Sequence, residues 1–173
     1  MMDIQSTLDD RSQRDAFLRD HYASPLPEEE RESFSGLDYF PPDTSWVISG
    51  EYEAIEPHDV QIPSTAGMDN PYTKVGVITI ALGDLVYRLT VIDDGDGGAF
   101  VPFRDGTCGA ESYAGGRYVG ISAESSGTTS VDFNDARNPW CVYDEEFICP
   151  LPPAENWIEE RVPAGEMMYR STA

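Results

Sequence analysis

Hydrophobic and polar positions follow two different rhythms along the chain. Over residues 4–23, Ile4, Leu8, Phe17, Leu18 and Tyr22 recur at helical spacing, which predicts an α-helix with an incomplete apolar stripe. Ser6 with Asp9 resembles a capping box at its start, and SPLP at 24–27 ends it. A stripe this thin does not sustain a helix alone, so the helix is expected to pack on the rest of the chain or on a partner, with a homodimer contact as one form of the latter. EEERE at 28–32 reads as an acidic linker, so residues 1–32 form a helix-and-linker segment.

From residue 33 the rhythm becomes short alternating runs broken by Gly, Pro and Asp, the pattern of β structure. One strand is predicted over Trp46 to Ala54. Lys74 to Leu82 and Leu85 to Ile92 flank Gly83-Asp84 and predict an antiparallel hairpin with a tight turn. In the second of these, Leu85, Tyr87, Leu89 and Val91 share one face, and Val86, Arg88, Thr90 and Ile92 the other. Further strands are expected near 99–103, 116–122 and 128–133. DDGDGG at 93–98 lacks the spaced ligands of a calcium loop and reads as a turn. Prolines 139, 150, 152, 153 and 163 argue against internal strands after that, so 138–165 should wrap the sheet as an extended coil. The fold class is therefore mainly β: a small antiparallel β-barrel or sandwich with an N-terminal α-helix and a Pro-rich C-terminal coil, its single β domain spanning 33–169.

Charge narrows the setting. Thirty-two acids face eleven bases, a net charge of −21, and Lys74 is the single lysine. The acids are spread rather than blocked, as in a folded protein kept soluble in molar salt, where the screening length falls to about 3 Å. The composition reads as halophilic and cytosolic. Nucleic acid and anionic membranes are excluded as partners, because both need basic patches. The N-terminus lacks the basic and apolar regions of a signal peptide, and no run is long enough to span a membrane. Three cysteines, an odd number, argue against a disulfide framework.

Candidate chemistry concentrates in FRDGTCGAESYAGGRY, residues 103–118. Its glycines permit a tight loop with inward-facing amides. Arg104 and Arg117 flank the loop, and arginine suits a bidentate grip on a carboxylate or phosphate. The same arginines could equally be held inside the protein by Asp105, Glu111 or Asp132. Residues 99–143 carry three arginines against five acids, the least lopsided stretch of an acidic chain. A small anionic metabolite is thus the expected partner, with Arg104 and Arg117 on the anion, Tyr113 and Asn134 orienting it, and Glu111 or Asp132 holding the arginines. An enzyme, a hydrolase or lyase using Glu111, Asp132 or Glu166 as acid or base, is the alternative. A structural or interaction protein without a small-molecule site is the third reading. Cys108 has no histidine near it in sequence to activate it, and a zinc site from Cys108, Cys141 and Cys149 has loose spacing. Cys141 and Cys149 read as two buried thiols or a redox-dependent disulfide. No cofactor is expected.

FSGLDYFPPD at 34–43, FVPFRDGTCGAESYAGGRY at 100–118, VDFNDARNPWC at 131–141 and CPLPPAENWIEERVPAGE at 149–166 occur in that order. The set resembles the DUF1684 family over about residues 33–169. The resemblance marks Arg104, Asp105, Gly109, Glu111, Tyr113, Gly116, Arg117, Asp132, Asn134, Asn138, Pro139, Cys141, Cys149, Pro150, Asn156 and Glu166 as family positions, and it implies no established activity. Cys108 stands where the family more often has serine, and Arg137 where tyrosine is usual. The resemblance therefore places neither a nucleophilic cysteine at 108 nor a shared anion site at 137.

Overall fold

The computed structural model describes residues 3–122 and 125–170. Helix α1 (Ile4–Asp20) and the single turn α2 (Glu28–Arg31) precede six strands: β1 (Val47–Pro63), β2 (Asp69–Leu82), β3 (Leu85–Asp93), β4 (Ala99–Phe103), β5 (Arg117–Ile121) and β6 (Gly127–Asp132). All pair antiparallel in one sheet of order β5-β4-β3-β2-β1-β6, which curls into a half-barrel. The chain after β6 draws the two sheet edges together. Arg137 N–H donates to the Tyr118 carbonyl and Tyr118 N–H to the Arg137 carbonyl, each at 2.8 Å.

The sheet's inner face builds the main core, in which Ile78, Leu89, Val91, Val101, Phe103, Val119, Val131 and Phe133 are almost fully buried. Strand alternation then turns Phe100, Tyr118 and Asp132 to the opposite face. The predicted hairpin forms as expected, with Leu82 opposite Leu85 around Gly83-Asp84. β1 and β2 run well past their predicted ends. Their register shifts between Ala54 and His58, where Pro57 lies, and the bulge hides a longer hairpin arm whose alternation is broken. Toward the C-terminal end of β3 both faces are covered, and Thr90 and Ile92 are buried as well as Leu89 and Val91. The coil covers that outer face: the Asn156 amide donates to the carbonyls of Thr90 and Pro102 and accepts from Thr90 N–H at 2.7–2.9 Å. Because β3 pairs with β4 only at Ile92 and Asp93, this side chain supplies bonds that a neighbouring strand would otherwise make.

α1 starts at Asp3, whose carboxylate accepts from Gln5 N–H, rather than at a Ser6–Asp9 capping box, and it ends at Asp20, short of the expected residue 23. The expected stripe is also mostly unused: Ile4, Leu8 and Tyr22 are exposed, while Leu18 is buried with Leu26, Phe34 and Tyr143. Polar anchors seat the helix instead. Arg11 donates to the Phe40 and Asn134 carbonyls, Arg14 pairs with Glu166 at 3.1 Å, and Asp15 accepts from Leu37 N–H and Tyr39 Oη. The acidic linker segment 28–32 contains the single turn α2.

At the other end, Ala154–Asn156 forms a short turn and the coil runs beside β4, with Arg104 N–H donating to the Asn156 carbonyl and Ile158 N–H to the Arg104 carbonyl. DDGDGG is a turn in which Asp93 and Asp94 accept from the following backbone N–H groups.

Candidate functional site

The 103–118 loop closes around its own charges. Arg117 is fully buried and donates to Asp105 at 3.2 Å, to Thr107 Oγ1 at 3.5 Å, to the Val162 and Glu166 carbonyls at 3.0 and 3.1 Å, and to the Ala164 carbonyl. Asp105 accepts in turn from Thr107 and from Val162 N–H. Burial pushes the Arg117 guanidinium down, and the Asp105 charge opposes that shift. Gly116, at φ 91°, allows the approach, since a Cβ there would lie 2.5 Å from the Phe103 carbonyl oxygen. The arginine thus fastens the C-terminal coil to β5 through its two terminal nitrogens, while its buried Nε has no partner.

The other expected ligand-binding residues are not brought together around it. Arg104 stacks on Trp157, its guanidinium carbon 4.7 Å from the ring centroid. Glu111 takes a bidentate grip from Arg161 on the surface and holds neither Arg104 nor Arg117. Tyr113 reaches Cys141. Asp132 accepts from Asn134, whose side chain also bonds both ways with the Asp43 backbone. Glu166 is buried and receives Arg14, Asn138 N–H at 2.7 Å and Tyr143 Oη. Cys108 sits beside Asp105 and Ser112, while Cys141 and Cys149 contact one another, so the three thiols do not converge. Burial pushes the Cys108 thiol up, away from nucleophilic use.

Two concavities lie elsewhere. A groove of about 1320 Å³ covers the seam where β5 meets the chain after β6. Phe100, Tyr118, Trp140, Phe147 and Ile148 give it apolar walls, with the Phe100–Tyr118 rings 4.7 Å and the Trp140–Phe147 rings 5.3 Å apart. Adjoining it is a cavity of about 20 Å³, room for about one water-sized group. Arg11, Arg14, Arg137, Tyr39 and Asn134 line this cavity together with Asp10, Asp135 and Glu166. Asp10, Arg14, Asp135 and Arg137 belong to both. Three arginines against three acids make this a charge-balanced spot on a chain of net charge −21. Arg11 Nε is buried with no partner, and Arg137 extends into solvent. Asp135, exposed on the rim shared by both hollows, is pushed up by partial desolvation, with Asp132 adding and Arg137 opposing.

Arg11, Arg14, Asp135, Arg137 and the groove aromatics escaped the sequence reading. The available signal was the Arg11–Arg14 pair, three apart in a predicted helix and therefore on one face. Arg137 drew no weight because the family pattern favours tyrosine there, and only the seam shows what it faces.

Among the described residues, no helix is long and apolar enough to cross a membrane, and no group of three or more His, Cys, Asp or Glu is placed to hold a metal ion. No match was found among curated proteins. An uncharacterised protein of Haloarcula marismortui, solved in solution by NMR, shares 34% identity and superposes with a TM-score of 0.73, covering 94% of this chain and 92% of its own. A family model described as a protein of unknown function, DUF1684, matches residues 32–167, and the chain belongs to that family.

Proposed function

We propose that the protein is a small-molecule-binding β domain whose ligand lies in the seam groove, with a flat apolar body against Phe100, Tyr118 and Trp140 and an anionic end toward Arg11 and Arg137. The observation that carries this is the continuity of an aromatic groove with an arginine-lined cavity holding an unpartnered Arg11 Nε. Ligand sites are typically apolar hollows with few convergent polar groups. Desolvated arginine is the residue best suited to a carboxylate or phosphate. The ligand site thus moves from the 103–118 loop to the seam. The acid-rich composition and the haloarchaeal neighbour at 34% identity support a cytosolic protein working in high salt.

The test is a thermal-shift panel of aryl carboxylates and nucleoside monophosphates in molar KCl. A ligand at a hundred times its Kd stabilises by about 2.7 kcal/mol, a shift of roughly 5–10 °C for a domain of this size. Binding is expected to be lost in Arg137→Ala and weakened in Phe100→Ala. Silence of the wild type across the panel counts against the reading. An acid–base enzyme remains the second reading because Asp135, a carboxylate with a raised pKa, borders the same hollow. Turnover of a panel hit that disappears in Asp135→Asn while binding persists is its signature.

A further inference from the structure

Arg11 carries a charge that the fold does not answer. It lines the small cavity beside the groove. Nη1 donates to the Phe40 carbonyl at 2.8 Å and Nη2 to the Asn134 carbonyl at 3.4 Å, both neutral acceptors, and the guanidinium carbon lies 4.6 Å from the Tyr39 ring centroid. Nε is buried with no partner, and among the described residues no carboxylate pairs with Arg11. The other acids on the cavity wall are engaged or solvated. Glu166 is taken by Arg14 at 3.1 Å, by Asn138 N–H at 2.7 Å and by Tyr143 Oη at 3.3 Å. Asp10 and Asp135 are exposed to solvent, as is Arg137. Burial pushes the Arg11 guanidinium down, against Tyr39, Asp135, Glu166 and Asp132, the direction expected of a cation short of a counter-charge. Arg117 also has an unbonded Nε, but it borders neither hollow and already holds Asp105.

We propose that the cavity is a halide site, taking one chloride ion against Arg11 Nε between α1 and the chain at 134–137. Charge and size select this ligand together. A cation drawn out of water needs an anion beside it. Water would satisfy the Nε donor but not the charge. A cavity of about 20 Å³ holds one water-sized centre, for which roughly 10–15 Å³ is enough. Carboxylate, sulfate and phosphate are polyatomic and do not fit whole. Chloride is a single centre that accepts from several N–H groups at once, and Arg14 and Arg137 on the same wall add to its hold.

The long-range field of a chain with net charge −21 repels anions, so the site fills where salt shortens that field to about 3 Å, at about 1 M. An ion there ties α1 to the chain after β6, since Arg11 and Arg14 stand on the helix and Asn134, Ala136 and Arg137 on that chain. It also competes with any ligand oxygen that reaches Arg11 from the groove.

The proposal shares Arg11 with the groove reading but not its aromatic walls, which keeps their failures apart. The test is the chlorine NMR line width in potassium sulfate at molar ionic strength, with chloride added as the probe. The wild type is expected to broaden the line beyond protein-free buffer, and bromide to reverse this. The excess broadening should be lost in Arg11→Gln and kept in Phe100→Ala and in Arg88→Gln, whose arginine is solvent-exposed. A line that the wild type leaves unbroadened, broadening that survives Arg11→Gln, or an equal loss in Arg88→Gln overturns the proposal. Should Arg11→Gln fold poorly, crystals of the unaltered chain grown in bromide decide. Anomalous density within hydrogen-bond distance of Arg11 Nε is expected, and a water in that place overturns the site. Halide binding with a silent ligand panel sinks the groove reading alone. A panel hit lost in Phe100→Ala, with no halide signal, sinks the halide site alone.

Discussion

Arg117 meets most of the demand of a buried guanidinium by spending Nη1 and Nη2 on Asp105, Thr107 and three coil carbonyls, leaving only Nε without a partner. Removing it leaves Asp105 charged and fully buried. Breaking one side of a buried pair typically costs about 3–5 kcal/mol, while replacing both sides by apolar groups costs far less. Arg117→Met should therefore lower the unfolding free energy by about that amount in a denaturant titration, with part regained in Arg117→Met/Asp105→Leu. Arg104→Ala, which loses a part-exposed stack on Trp157, should cost only about 1 kcal/mol. Equal losses at the two arginines would contradict the distinction drawn between them.

At the scale of elements, two anchors do work that periodicity does not announce. α1 buries Thr7 and Leu18 alone, so its seat depends on Arg11, Arg14 and Asp15. Arg14→Met leaves Glu166 buried without its cation and should cost about 3–5 kcal/mol, whereas Leu8→Ala, on the exposed face, should stay within about 0.5 kcal/mol. Tm measurements on the two variants decide whether polar anchoring or the apolar stripe holds the helix. Asn156 is the second anchor. Asn156→Ala removes three bonds spanning β3 and β4, at about 1–3 kcal/mol for each buried group left unsatisfied. Hydrogen exchange should report it most directly, with the Thr90 amide losing protection before its neighbours in the β2–β3 ladder. Unchanged protection there would mean that the strands close up without the side chain.

Over the whole molecule, charge sets the working conditions. A net charge of −21 is relieved by few close pairs, and of those among the described residues Arg19–Asp20, Arg88–Glu53 and Arg161–Glu111 are solvent-exposed. Such exposed pairs contribute about 0–1 kcal/mol each. Raising KCl from about 0.1 M to about 1 M shortens the screening length from about 10 Å to about 3 Å, which weakens the repulsion among the remaining carboxylates. Tm should rise with KCl, by roughly 2–4 °C for each 1 kcal/mol of repulsion removed. A Tm that falls or stays flat over that range would detach the composition from salt adaptation.

Local chemistry fixed much of this in advance. Alternation and the Gly83-Asp84 turn located the central hairpin, the Asp-Gly run located the following turn, and five prolines located the wrapping coil, because each rests on neighbours in sequence. The long hairpin arm was not legible, since a bulge at Pro57 interrupts the period on which such readings depend. The 103–118 loop was legible as a charged, tightly folded unit, but not as one closed upon itself. A guanidinium has the same fork for a ligand as for Asp105 and a row of carbonyls, and the coil residues 162–166 that take it lie 45–49 positions away. The groove was hidden for the same reason. Its walls come from α1, β4, β5, β6 and the coil, which meet only because residue 137 pairs with residue 118 and draws the sheet edges together. Sequence alone determined the central hairpin, the turn and coil around it and the charge; closure of the sheet, a matter of long-range backbone pairing and burial, decided which arginines face solvent and which hold the fold.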